Sequence, residues 1–155
     1  FPTRRSSDLQ QFHIPAHNLL IELTETHHDS APERLEAFIR QCKEIGISFV
    51  LDDFGTAYSN LSLLLQHPAD LIKLDQTLIH GITSSKQKLD FIASIIYSCH
   101  RFGKQVCVEG VETEDEFNLI RQTGCDFIQG FYFYRPLDLD ALGRLLETPE
   151  GTISH

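Results

Sequence analysis

Two adjacent carboxylates, Asp52 and Asp53, close an apolar run that begins at Phe49. Neighbouring anions raise each other's pKa and are costly to bury unless a cation or hydrogen-bond donors compensate them. Other short apolar runs end in similar chemistry. Leu20-Ile21 leads into Glu22 and Glu25, Leu71-Ile72 into Lys73 and Asp75, Val106-Cys107-Val108 into Glu109, and Phe127-Ile128 into Gln129. Carboxylate oxygens are hard ligands that select Mg2+ or Mn2+ over thiolate-seeking metals. Two such ions roughly 3.5–4 Å apart suit in-line displacement at phosphorus, because they hold both the attacking and the leaving oxygen. In that chemistry Lys73 supplies a fixed positive charge, Glu109 orients or deprotonates a water, and Gln129 offers both a donor and an acceptor.

Each residue alone also has a plainer reading. One acid of Asp52–Asp53 could cap a helix while the other is solvated. Glu22 or Glu25 could be an ion-paired surface carboxylate, and Lys73 could pair with Asp75 across a strand end. Glu112 reads as a structural first-turn acid beside the cap of the next helix. The eight histidines show no ligand spacing. Phe131, Tyr132, Phe133 and Tyr134 read as packing and a pocket wall rather than a nucleic-acid stacking platform. The regular placement after successive apolar runs is what favours a shared site.

The elements that must position these residues alternate between strand and helix. Ser30-Ala31-Pro32-Glu33 resembles a capping box with proline in the first turn. It opens a helix with apolar positions Leu35, Phe38, Ile39, Cys42 and Ile45, stopped by Gly46. Tyr58 to Gln66 reads as a short helix. Lys86 to Phe102 reads as a long one showing Leu89, Ile92, Ala93, Ile96 and Cys99, ended by Gly103. Thr113 to Glu116 is a second capping box, with Phe117 and Ile120 inward and Gly124 closing. Asp138 caps a last helix carrying Leu142, Leu145 and Leu146. No internal sequence repeat stands out.

Near-continuous apolar strands alternating with helices imply a parallel sheet covered by helices. An open doubly wound sheet and a TIM-like (β/α) barrel both place function at the C-terminal ends of strands. Functional groups after every strand favour the barrel, since only closure makes all the ends converge. Five βα units are legible where a barrel has eight, so the expected fold is the C-terminal part of a modified TIM barrel, incomplete in this chain. Asp52 and Asp53 cannot both enter one pocket from a regular strand. One must swing round near the Phe54-Gly55 turn, where glycine permits unusual dihedrals.

The chain has 155 residues, 41% of them hydrophobic, enough for one domain with a core. Its net charge of −9 argues against non-specific binding of DNA, RNA or anionic membranes. No apolar run is long enough to span a bilayer. Cys42, Cys99, Cys107 and Cys125 fall at unrelated spacings and read as free thiols, which suits a cytoplasmic protein. Residues 1–9 are polar and aperiodic and read as a non-native or disordered leader, residues 10–147 as a partial domain, and residues 148–155 as a tail.

Five segments together resemble the EAL domain family. They are Glu22-Leu-Thr-Glu25, Asp52-Asp-Phe-Gly-Thr-Ala-Tyr-Ser-Asn-Leu61, Ile72-Lys-Leu-Asp75, Val108-Glu-Gly-Val-Glu112, and Gln129-Gly-Phe-Tyr-Phe133 followed by Arg135-Pro136. Their order matches the family's. The resemblance implies a modified TIM barrel that hydrolyses cyclic di-GMP to linear pGpG with Mg2+ or Mn2+. It implies metal ligation by Glu22, Asp52 and Asp53, with Asp52 as the bridge. It also implies a water-supporting Lys73, a general base at Glu109, and a positioning role for Gln129, with Asp75 near the substrate. Glu25 matches the residue that anchors the loop after Asp53, a loop linked in the family to regulation and to homodimer formation. Ala57 and Asn60 depart from the usual glycine and serine of that loop, which bears on its motion more than on metal binding. The family's Glu-Ala-Leu motif and a strand-end asparagine, both metal ligands, do not occur here. The expected activity is therefore that of a parent protein, with this piece alone inactive. The alternatives are a catalytically silent cyclic di-GMP receptor or interaction module, and a metal-dependent barrel enzyme stabilising an enolate.

Overall fold

β-Branched and apolar residues dominate the segments before each polar strand end, and each forms a strand in the computed structural model, which describes residues 11–24, 32–55 and 68–147. The strands are β1 (Leu20–Thr24), β2 (Ser48–Phe54), β3 (Leu71–Leu74), β4 (Gln105–Val108) and β5 (Phe127–Ile128). All four pairings are parallel and the order is β1-β2-β3-β4-β5. A doubly wound sheet reverses its strand order at a switch point. No reversal occurs among these strands, so the sheet is part of an α/β barrel.

Helices α1 (Pro32–Glu44), α2 (Lys86–Arg101), α3 (Glu114–Arg121) and α4 (Leu139–Glu147) accompany the strands. In α2 the buried stripe is Ile92, Ile95, Ile96 and Cys99, packed in one core with Ile72, Leu74, Val106 and Val108. The expected stripe contained Leu89 and Ala93, which are only half-buried, and lacked Ile95. A second cluster joins Ile39 and Cys42 of α1 to Ile47 and Phe49. Ile45 is a correction. It lies past the end of α1 and is 48% exposed, because the inward period ends with the helix. Gly46, Gly103 and Gly124 follow α1, α2 and α3 at positive φ, as expected of helix stops.

The second capping box forms as read: Thr113 Oγ1 accepts from Glu116 N, and Glu116 reaches back to Thr113 N. Ile120 is fully buried, while Phe117 is half-buried and stacks on Tyr132 with ring centroids 5.1 Å apart. Asp138 caps α4 by accepting from Ala141 N at 2.7 Å. The leucines of α4 do not build a core: Leu142 is 40% and Leu146 77% exposed. Ser30, the helix over 58–66, residues 1–9 and the tail 148–155 lie outside the described residues.

An arrangement below the sheet recurs two strands apart. Asp70, just before β3, accepts from Phe49 N of β2 at 3.0 Å and pairs with Lys43 in the last turn of α1 at 2.7 Å. Asp126, just before β5, accepts from Val106 N of β4 at 2.8 Å and meets His100 Nε2 in the last turn of α2 at 2.8 Å. Each aspartate thus ties a helix end to the start of a neighbouring strand.

Partial burial works against the Asp126 anion, but the contacts with His100 and Val106 N outweigh it and hold the carboxyl below its ordinary pKa. A depressed carboxyl contributes stability that is complete above its unfolded pKa of about 3.9 and is lost as pH falls through the folded value. Urea unfolding should therefore show Asp126→Asn less stable than wild type at pH 7. The gap should narrow as pH falls below about 4. A gap independent of pH would remove the carboxylate's role.

Candidate functional site

Register decides which side chains meet. Glu22 pairs with Val50, Thr24 with Asp52, Leu51 with Ile72, and Lys73 with Cys107. Side chains alternate along each strand, so Glu22, Asp52 and Lys73 share one face. Glu109 extends that face past the end of β4, where its N–H continues the ladder to Leu74 O.

β2 opposes three steps, Leu51 to Phe54, to two steps of β3, Ile72 to Leu74. This bulge absorbs one residue and re-aims the chain. Asp53 is the residue that turns, with φ of 56°. The swing expected at Phe54-Gly55 therefore begins one residue earlier, inside β2. Aspartate tolerates the left-handed region better than most non-glycine residues, because its short polar side chain bonds locally.

Lys73 is the hub. Its Nζ lies 2.9 Å from Glu22 Oε1, 3.0 Å from Asp52 Oδ1 and 2.8 Å from Glu109 Oε1. Burial alone would lower the lysine's pKa, but the contacts with Glu109, Glu22 and Asp52 raise it well above the ordinary value. The expected alternative, a pair with Asp75 alone, is not what forms. Asp52 Oδ1 is at ion-pair distance from Nζ, yet it is buried and has no hydrogen bond among the described residues. The contact compensates charge without satisfying the oxygen's directional need.

One ligand atom each from Asp52, Asp53 and Glu109 falls within a 4.8 Å group. Desolvation and the charges of Asp52 and Asp75 raise the Asp53 pKa, outweighing the pull of Lys73. A divalent cation would answer both observations, the orphaned buried oxygen and the crowded anions, and hard carboxylate donors fit Mg2+ or Mn2+. The residues present fit such an ion.

Beyond this cluster opens a cleft of about 280 Å³ lined by Asp53, Asp75, Glu109 and Gln129, together with residues that sequence reasoning did not assign to it. Gln76 and Gly110 form one wall. Gly110 has φ of 76°, and a Cβ there would lie 2.3 Å from Gln76 Cβ, so only glycine lets the loops after β3 and β4 approach this closely. Glu112 borders the cleft as well; it precedes the cap Thr113 rather than standing in the first turn of α3, and its N–H donates to the capping Glu116 at 2.9 Å. Phe131 forms the pocket wall that was expected, half-exposed, with the Arg135 guanidinium 4.7 Å from its ring centre. Asp75 plays two parts. It lines the cleft, and its Oδ1 accepts from Thr77 N at 2.9 Å and Thr77 Oγ1 at 2.5 Å, capping the turn that presents Gln76. Burial pushes the Cys107 thiol, on the same face, up to about 11, which keeps it protonated and poorly nucleophilic. Glu25, Ala57 and Asn60 lie outside the described residues.

Comparison with known proteins bears on this arrangement. The chain is 33% identical over 138 residues to the cyclic di-GMP phosphodiesterase NbdA of Pseudomonas aeruginosa, covering 89% of this chain and 18% of NbdA. Among solved structures, the EAL domain of Mycobacterium smegmatis DcpA superposes with a TM-score of 0.82 at 30% identity, over 89% of this chain and 62% of that one. Klebsiella pneumoniae BlrP1, solved as a complex with manganese and cyclic di-GMP, gives a TM-score of 0.76 at 34% identity, over 84% of this chain and 33% of BlrP1. The chain therefore spans a minor part of the full-length relatives. The family model described as EAL domain matches residues 2–136, and the chain belongs to that family.

Proposed function

We propose that this chain is the C-terminal part of a cyclic di-GMP phosphodiesterase domain whose whole protein opens the cyclic dinucleotide to linear pGpG. The observation that carries the reading is the buried, unsatisfied Asp52 Oδ1 set among Asp53, Glu109 and the Lys73 ammonium. Glu22, Asp52 and Asp53 would hold the divalent ions, Mg2+ or Mn2+. Such ions supply charge stabilisation at the phosphoryl oxygens.

The chain's own groups do the remaining work. Glu109 accepts a proton from the attacking water, whose oxygen forms the new bond to phosphorus as the ribose 3′ oxygen leaves. Lys73, 2.8 Å from Glu109, holds that carboxylate in place. Gln129 and Asp75, both lining the cleft, orient the substrate. Glu25 anchors the loop after Asp53, and that loop mediates homodimer contact. Four free cysteines suit action in the cytoplasm.

The test is pGpG release from cyclic di-GMP by the whole protein with Mg2+ or Mn2+, set beside the 155-residue chain, which is expected to be inactive. Tight binding without turnover by the whole protein would assign it as a receptor. Neither binding nor turnover would refute both readings.

A further inference from the structure

Lys73 contacts the same two carboxylates, Glu22 and Asp52, that the reading above gives to a metal. Glu22 Oε1 and Asp52 Oδ1 stand 2.9 and 3.0 Å from its Nζ, and the lysine side chain is only 13% exposed. Glu22 Oε1 accepts a hydrogen bond from that ammonium, and a lone pair so engaged is not free for a metal ion, while Asp52 Oδ1 is held at ion-pair distance only. An ammonium and a divalent ion sharing one carboxylate oxygen also repel each other at short range in a partly desolvated site.

The third contact differs in kind. Glu109 Oε1 is 2.8 Å from Nζ, and Glu109 lines the cleft while Glu22 does not. Lys73 therefore has one carboxylate on which it can remain when the other two are taken.

We propose that Lys73 is a built-in counter-ion that competes with a divalent metal for Glu22 and Asp52 and is handed over to Glu109 when metal enters. This rests on the phosphodiesterase reading of the site and adds a coupling to it. Metal affinity is set in part by the cost of displacing the ammonium, and metal arrival fixes the lysine against the proposed base. Coupling is reciprocal, so anything that holds Lys73 on Glu22 and Asp52 weakens metal binding by the same factor. One ammonium cannot neutralise Glu22, Asp52, Asp53, Asp75 and Glu109 together. Cation binding therefore stays favourable with Lys73 present and becomes tighter without it.

A purely structural ion-pair hub predicts the opposite for a neutral replacement, namely a loosened site with weaker metal binding. The experiment is Mn2+ titration of the whole protein by calorimetry, with free Mn2+ counted by electron paramagnetic resonance. Wild type, Lys73→Met and Lys73→Gln are compared, and each is also melted in EDTA and in excess Mn2+. The variants should melt below wild type in EDTA, gain more in melting temperature from Mn2+, and bind it about tenfold more tightly. If Lys73→Met does not fold, Lys73→Gln, which keeps hydrogen-bond donors near the Nζ position, decides the comparison. Wild-type binding that the variants match or fall below overturns the competition and leaves the metal site standing. Absence of Mn2+ binding in wild type and variants alike overturns the metal reading and the competition with it.

Discussion

Glu109→Gln in the whole protein is expected to lower kcat by at least about a hundredfold, the usual range for losing a positioned general base, while cyclic di-GMP binding changes little. The substitution is nearly isosteric. Glutamine keeps an oxygen that Lys73 can meet from 2.8 Å, so the hub loses one charge rather than one contact. What disappears is the capacity to take a proton. Glu109 follows the end of β4 and lines the cleft, and its side chain is only 18% exposed, so circular dichroism must accompany the kinetics. Binding measured by calorimetry in Ca2+ should stay within a few-fold of wild type, and circular dichroism should be unchanged. Unimpaired turnover would refute the base assignment. A parallel loss of binding and turnover would mean that Glu109 holds metal or substrate instead.

Much of this site was legible because chemistry and period coincide at strand ends. An apolar run that terminates in Asp52-Asp53, Lys73, Glu109 or Gln129 announces both a strand and a functional end, and the structure brings Asp52, Lys73 and Glu109 into direct contact. The barrel reading followed from the same convergence, and the sequential strand order bears it out. What was not legible depends on three-dimensional approach. Gln76 carries no signal of its own, since it enters the cleft only because Asp75 caps a turn through Thr77. Glu112 was assigned to a helix's first turn because it adjoins the Thr113–Glu116 capping box, and only the geometry places it at the cleft. The turn at Asp53 was foreseen in need but placed one residue late, because a bulge leaves no reliable mark in composition. Pairing of Asp70 and Asp126 with helix ends was equally hidden. The partners lie 27 and 26 residues away, and nothing local links them.

Gly130→Ala is expected to cost about 3 kcal/mol or more of stability, the range of a severe steric insertion that forces backbone shifts, and to abolish turnover in the whole protein. The reason is close approach, not dihedral freedom. A Cβ at Gly130 would stand 2.0 Å from Val111 O and 2.5 Å from Val111 N, both backbone atoms that cannot rotate away. Those atoms are already engaged. Val111 N donates to Gln129 O at 3.2 Å, and Tyr132 N donates to Val111 O at 3.0 Å. Relieving the overlap means separating the segments that follow β4 and β5, and so breaking both bonds. Gln129 and Phe131 flank Gly130 and line the cleft, so the same movement displaces one wall of the proposed substrate site. Gly124→Ala is the control. It has φ of 78° but nothing within 4 Å of its Cβ position, so it should lose only the roughly 1–2 kcal/mol of left-handed strain and keep its activity. Urea unfolding and turnover on both variants separate the two effects. If Gly130→Ala unfolds no more easily than Gly124→Ala, the contact between Gly130 and Val111 does not hold the ends of β4 and β5 together.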